Sequence, residues 1–146
     1  MIKNSFSMSF LSRSANEGFA RAVVSAFSSQ LDPTLEEISD IKTAVSEAVT
    51  NCIVHAYDSG VGKIYISAEL NDENTIKIRI RDKGKGIENV AQAMEPLFTT
   101  LGGERAGLGF AVMMSFMDSV KVRSTLGKGT SITMVKKLRQ RFSVNG

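Results

Sequence analysis

The sequence predicts an α+β fold, a two-layer α/β sandwich in which a mostly antiparallel mixed sheet carries its helices on one face. Three observations predict it. Several segments alternate apolar and polar residues with period two, and others repeat apolar residues at helical spacing behind capping signals. The two kinds are grouped along the chain instead of strictly alternating, as expected when one sheet face is covered and the other is wet.

Phe6, Met8 and Phe10 alternate with serines and predict a short first strand. Ser14 and Glu17 form a Ser-x-x-Glu capping box ahead of Phe19, Val23, Ala26 and Phe27, a first amphipathic helix closing near Leu31-Asp32-Pro33. Thr34 and Glu37 repeat the box. Behind them Leu35, Ile38, Ile41, Val45, Ala48, Cys52 and Ala56 predict a helix of about six turns, ended by Gly60 and Gly62. The period then changes. Ile64, Ile66, Ala68 and Leu70 alternate along one strand and Ile76, Ile78 and Ile80 along the next, with a polar turn between them. A glycine-rich region follows, with a short helix near Glu88 to Met94 and an irregular stretch over 95–109. A helix with Phe110, Met113, Phe116 and Met117 on one side leads to a terminal hairpin around Gly127-Lys128-Gly129.

At 146 residues and 15.8 kDa the chain is expected to fold as one domain over 1–135, with a basic tail over 136–146. Hydrophobic residues at 42% and charged residues at 23% exclude wholesale disorder. No apolar run approaches the roughly 18 residues a membrane span needs, and the first residues do not read as a secretory signal. With a single cysteine, Cys52, the expected location is the reducing cytoplasm. One histidine excludes two-histidine metal sites and Cys/His zinc clusters. The net charge is +3, yet Lys136, Lys137, Arg139 and Arg141 alone exceed it, leaving residues 1–135 at about −1. A near-neutral body argues against direct nucleic-acid binding. The tail reads as a solvated extension or as a contact for an acidic partner. Lys77, Arg79 and Arg81, alternating with the isoleucines, read as a solvated strand face or as a nucleic-acid stripe.

Four groups of residues could carry chemistry. Glu47, Asn51 and His55, four apart on the long helix, form a polar stripe flanking its apolar one. They are either satisfied core-edge groups or a prepared polar site. Asp82-Lys83-Gly84-Lys85-Gly86 is a turn, or a carboxylate leaving a strand into a pocket. The run from Gly102 to Gly109 enters a helix, where backbone N–H groups can cradle an anion. Gly127-Lys128-Gly129-Thr130 alone is a hairpin turn. The Walker, dinucleotide and protein-kinase motifs are missing, and Cys52 reads as inert packing.

The order of these groups is more informative than any one of them. Glu47-x-x-x-Asn51-x-x-x-His55, Asp82-x-Gly84-x-Gly86, Pro96 to Thr100, Gly107-Leu108-Gly109 and Gly127-x-Gly129-Thr130 together resemble the Bergerat ATP-binding fold of the GHKL superfamily. That superfamily unites gyrase, histidine kinases, mismatch-repair ATPases and small anti-sigma serine kinases. The runs Gln30 to Thr34 and Ile41 to Asn51 resemble the sporulation anti-sigma kinases, homodimers that act on a sigma factor and an anti-anti-sigma factor.

The resemblance implies ATP and Mg²⁺ as cofactors. It assigns Asn51 to the metal and Glu47 to the catalytic base, while Asp82, with Gly84, Gly86 and Thr130, would hold adenine. Gly107, Leu108 and Gly109 would cradle phosphates. Residues 97–106, with Thr99 and Thr100, would form a lid from which Arg105 reaches the γ-phosphate. Three readings remain open: a serine-protein kinase that also binds a sigma factor, an ATP-gated sigma-binding module with little catalysis, or a detached ATPase part of a larger enzyme. A general-stress anti-sigma kinase is a variant of the first. A sequence without a phosphoacceptor helix argues against the third.

Overall fold

The computed structural model describes residues 1–58, 60–94 and 105–139, with residues 105–108 described by their backbone alone. Strand β1 (Ile2–Leu11) leads into helix α1 (Ala15–Ser28), which ends in a 3₁₀ turn, Ser29–Leu31. Helix α2 (Leu35–Asn51) runs on into a π-helical turn, Cys52–Ala56. Strands β2 (Lys63–Asn71) and β3 (Thr75–Asp82) follow, then the single turn α3 (Val90–Ala93) and helix α4 (Arg105–Phe116). Strands β4 (Ser119–Thr125) and β5 (Gly129–Lys137) complete the described chain.

The five strands form one sheet in the order β1-β2-β3-β5-β4. A mixed sheet was expected with mostly antiparallel pairs, and all four described pairs are antiparallel. The register places Ile66 opposite Ile80 and Ile80 opposite Ile132, so the alternating residues of neighbouring strands fill one buried face. Helices α1, α2 and α4 cover that face, with α2 packed between the other two. The two-layer α+β sandwich is the observed architecture.

Several local expectations change on contact with the fold. At α2 the capping box forms as read: Glu37 N–H donates to Thr34 Oγ1 at 3.0 Å, and Thr34 N–H donates to Glu37 Oε1 at 2.8 Å. At α1 it does not. Ser14 is helical and makes no side-chain cap, because Glu17 turns to α2, where it accepts the Ser46 hydroxyl, and pairs with Arg21 at 3.6 Å. The buried face of α1 is Ala20, Val24 and Phe27, not Phe19, Val23 and Ala26. Phe27 sets that rotation by packing edge-on against Phe6, with ring centroids 4.7 Å apart. Leu35, first residue of α2, is 88% exposed. The long helix ends at Ala56, before the glycines expected to stop it, because Tyr57 turns extended and its hydroxyl donates to Lys63 O at 2.5 Å. Helix α4 begins at Arg105, inside the stretch expected to be irregular.

The tail expected from residue 136 overlaps β5, which runs to Lys137. Lys136 is largely buried, 3.4 Å from Asp40, and donates to Phe116 O at 2.7 Å. Leu138 belongs to the core, and Arg139 N–H donates to Glu37 Oε2 at 2.6 Å.

Candidate functional site

The end of α2 is docked onto the turn that follows β3. Lys85 N–H donates to Ala56 O at 2.8 Å, and a Cβ on Gly84 would lie 2.0 Å from that same carbonyl oxygen. Glycine at 84 is what admits the helix end. The π-helical turn carries His55 and Ala56 to this junction. Beneath it lies a cavity of about 210 Å³ between the helices and the sheet. Asn51, Cys52 and His55 wall one side, Asp82 and Thr130 the sheet side, and Phe110 of α4 the far side.

Asp82 is 7% exposed. Its Oδ1 accepts the N–H of Gly84 at 2.9 Å and that of Thr130 at 3.2 Å. A carboxylate held this way has a fixed orientation, and the Cys52 thiol interacts with it across the cavity. Gly129, at φ +122°, brings β5 close enough for this: a Cβ there would lie 2.1 Å from Asp82 O.

Glu47 and Asn51 meet at Gly109 on the neighbouring helix. A Cβ on Gly109 would stand 3.1 Å from Asn51 Nδ2, 3.2 Å from Asn51 Oδ1 and 3.3 Å from Glu47 Oε2. Asn51 also lines the cavity with Asp82, whereas Glu47, one turn earlier on α2, lines a separate groove with Arg21 of α1. The Asn51 Nδ2 is buried without a hydrogen-bond partner among the described residues. Such a group is the exception in folded proteins and marks a place where a ligand can complete the bonding.

Of the expected site residues, Asn51, Asp82, Gly86 and Thr130 line the cavity, Gly84 builds its edge, and Glu47 and Gly109 lie outside the lining but meet at the interface of α2 and α4 beside Asn51. Arg105, Gly107 and Leu108 form the first turn of α4. Thr99 and Thr100 lie outside the described residues. Two features were not legible beforehand. Cys52, read as packing, lines the cavity, and burial pushes its thiol well up, with the Asp82 charge adding to it. Ser124 joins three segments: its Oγ accepts Ile87 N–H at 2.6 Å and lies 3.1 Å from Gly129 O and 2.8 Å from Thr130 Oγ1. A serine in a strand carries no signal of such a role.

The model of the histidine kinase-like ATPase domain matches residues 10–136 of this chain. The anti-sigma F factor of Caldanaerobacter subterraneus subsp. tengcongensis is 61% identical over 134 residues, covering 91% of this chain and 93% of the relative. That of Clostridium acetobutylicum is 53% identical over 138 residues, covering 94% and 96%. The chain belongs to the anti-sigma F factor family. Solved structures agree on the fold. The RsbU and RsbW domains of a Mycobacterium tuberculosis protein superpose with a TM-score of 0.71 at 18% identity, over 95% of this chain and 34% of that one. The histidine kinase domain of a blue-light activated kinase from Erythrobacter litoralis gives 0.58 at 19%, over 84% and 61%. A histidine kinase-like ATPase domain implies ATP binding, and membership of the anti-sigma F factor family supports activity of kinase type.

Proposed function

We propose that this protein is an anti-sigma factor that binds a sporulation sigma factor and, as a serine-protein kinase, phosphorylates a serine of an anti-anti-sigma partner. One observation carries the reading: the Glu47 carboxylate and the Asn51 amide converge on Gly109, and Asn51 shares a cavity with the anchored carboxylate of Asp82. Adenine recognition and phosphate chemistry would then occupy the two ends of one site.

In this reading Asp82 accepts the adenine amino group through its Oδ2, which the two backbone bonds to Oδ1 do not engage, with Thr130 beside it. A guanine carbonyl there would face a carboxylate, so the pocket selects adenine. Gly86 lines the base end. Helix α4 directs its first turn, Arg105 to Leu108, at the phosphates, where N–H groups lack intrahelical partners. Gly109 is the fifth helical residue, and its part is clearance for Asn51 and Glu47. Arg105 is assigned to the γ-phosphate, and Thr99 and Thr100 to the lid that the family resemblance implies.

Glu47 takes the proton of the substrate serine as the serine oxygen bonds to the γ-phosphorus and the bond to the β-phosphate oxygen breaks, leaving ADP. A positioned base contributes about 10²- to 10⁴-fold. Mg²⁺ fits the donor set. Among the described residues no cluster of three acidic, histidine or cysteine side chains forms a cage, but this ion binds through few protein oxygens plus phosphates, and the Asn51 side-chain oxygen at the interface with Gly109 can supply one. When bound it neutralises phosphate charge. Asn51 would hold it, and Glu47 would stay positioned one turn away.

Two further readings belong here. Among the described residues no helix is long and apolar enough to cross a membrane, which supports a cytoplasmic protein. The position of β1 at the sheet edge, with Ile2 and Leu11 exposed, supports a homodimer. The deciding experiment incubates the protein with labelled ATP, Mg²⁺ and a co-transcribed small partner. Label on a partner serine is the expected result. Binding of both without transfer leaves an ATP-gated binding module.

A further inference from the structure

The uncovered face of the sheet is not evenly polar. Lys77, Arg79 and Arg81 project from β3, and Lys121 and Arg123 from β4, all exposed. Between them runs β5 with short hydroxyl side chains. The register aligns Arg79, Thr133 and Lys121 in one row and Arg81, Ser131 and Arg123 in the next. A trough results, with cationic walls and a small-residue floor. Among the described residues no carboxylate forms an ion pair with any of the five cations. Arg79 Nε instead donates to Ser131 Oγ at 3.1 Å. Glu69 on β2 stands opposite Lys77, which leaves Arg79, Arg81, Lys121 and Arg123 as a concentration of cations in a body that is near neutral.

Its dimensions match one kind of partner. Two strand spacings separate the walls by about 10 Å, close to the diameter of one α-helix, and successive cations on a wall are about 7 Å apart. Carboxylates at i and i+4 of a helix are about 6 Å apart along the axis, within reach of flexible arginine and lysine side chains. Single-stranded nucleic acid fits less well. The binding of bases needs free aromatic faces, and Tyr65, the aromatic on this face, is flanked by Arg81 and Lys83, each 5.1 Å from its ring centre. We propose that this trough docks an acidic helix of a partner protein, lying along β5 between the cationic walls on the sheet face opposite the nucleotide cavity.

The test titrates the full-length protein into a fluorescent helical peptide with glutamates at i, i+4 and i+7. Arg79→Glu combined with Lys121→Glu is expected to weaken binding more than tenfold, and Arg79→Gln with Lys121→Gln severalfold, with ATP affinity unchanged in both as the check on folding. Raising salt from 50 to 200 mM weakens the wild-type complex. A peptide of the same composition with its glutamates spread around the helix binds severalfold more weakly. Equal binding by wild type and the glutamine variant overturns the proposal, as does loss of binding in Arg139→Gln with Arg141→Gln alone. Duplex DNA that binds more tightly than the peptide, and is lost in the same trough variants, replaces it with a nucleic-acid surface.

Discussion

The hydroxyls of Ser124 and Thr130 lie 2.8 Å apart, and the proton between them decides what Thr130 offers the cavity. Ser124 already accepts Ile87 N–H, so its own proton goes either to Gly129 O or to Thr130. In the second case Thr130 keeps its proton for the ligand, as an adenine ring nitrogen requires. Ser124→Ala removes this control and leaves Ile87 N–H without its acceptor, a cost of about 1–3 kcal/mol. That cost falls on stability, whereas ATP affinity measured by calorimetry is expected to fall severalfold because the Thr130 hydroxyl is no longer held for the ligand. Ser124→Thr is expected to restore it, and an alanine variant that binds ATP normally would remove Ser124 from the site.

Asp82 offers a sharper test of base selection. Asp82→Asn keeps the shape but replaces a charged acceptor by an amide, which either loses its anchors at Gly84 and Thr130 or turns its NH₂ toward adenine. A lost hydrogen bond to a charged group, with a donor left unpaired, is worth about 2–3 kcal/mol, or about 10²-fold in affinity. Calorimetry is expected to show that loss for ATP with a much smaller change for GTP. Unchanged ATP affinity would mean that adenine lies elsewhere.

Glu47 separates chemistry from binding. Because Glu47 does not line the cavity, Glu47→Gln is expected to leave ATP affinity within about threefold. Phosphate transfer is expected to drop 10²- to 10⁴-fold. Single-turnover transfer to the partner serine reads the step directly. Transfer near the wild-type rate would show that another group takes the proton.

The same residues show what a sequence can and cannot disclose. Period-two isoleucines on β2 and β3 and the apolar stripe of α2 specify their buried faces by local pattern alone, and the Thr34–Glu37 box forms from residues three apart. Ser14 and Glu17 carry the same local signal, but Ser46, 29 positions away, captures the carboxylate. Helix α1 turns to face Phe6, a contact no periodicity specifies. Glu47 and Asn51 were readable as a polar stripe and Asp82 as a strand end. Their convergence required α4 to bring Gly109 between them, and the roles of Cys52 and Ser124 arise only from tertiary neighbours.

Glu37 predicts how the helical layer responds to acid. Partial burial raises the pKa of its carboxyl, but the N–H groups of Thr34 and Arg139 outweigh this and hold it below its ordinary value of 4.5. A depressed carboxyl stabilises the fold above its unfolded pKa, and that contribution is lost as pH falls through the folded value. Urea unfolding of wild type is therefore expected to show a stability loss below about pH 4.5 that Glu37→Gln reduces. Thr34→Ala, which removes the cap itself, is expected to cost about 1 kcal/mol at neutral pH. Identical acid limbs in wild type and Glu37→Gln would show that the loss originates at other carboxyls.

Gly109 sets stability against function. It lies inside α4 without positive φ, where alanine is favoured over glycine by up to about 1 kcal/mol. The new methyl would stand 3.1 to 3.3 Å from the Asn51 amide and the Glu47 carboxylate, so both must yield by a few tenths of an ångström. If those two side chains hold the phosphate end of the site, Gly109→Ala raises or preserves the unfolding midpoint while Mg²⁺-dependent ATP affinity and transfer both fall. Asn51→Ala leaves the clearance and removes the amide, so it is expected to abolish the Mg²⁺ dependence of ATP binding without the steric effect. A Gly109→Ala variant that is both stable and fully active would show that the two side chains can move freely, and that their convergence on this glycine does not position the reaction.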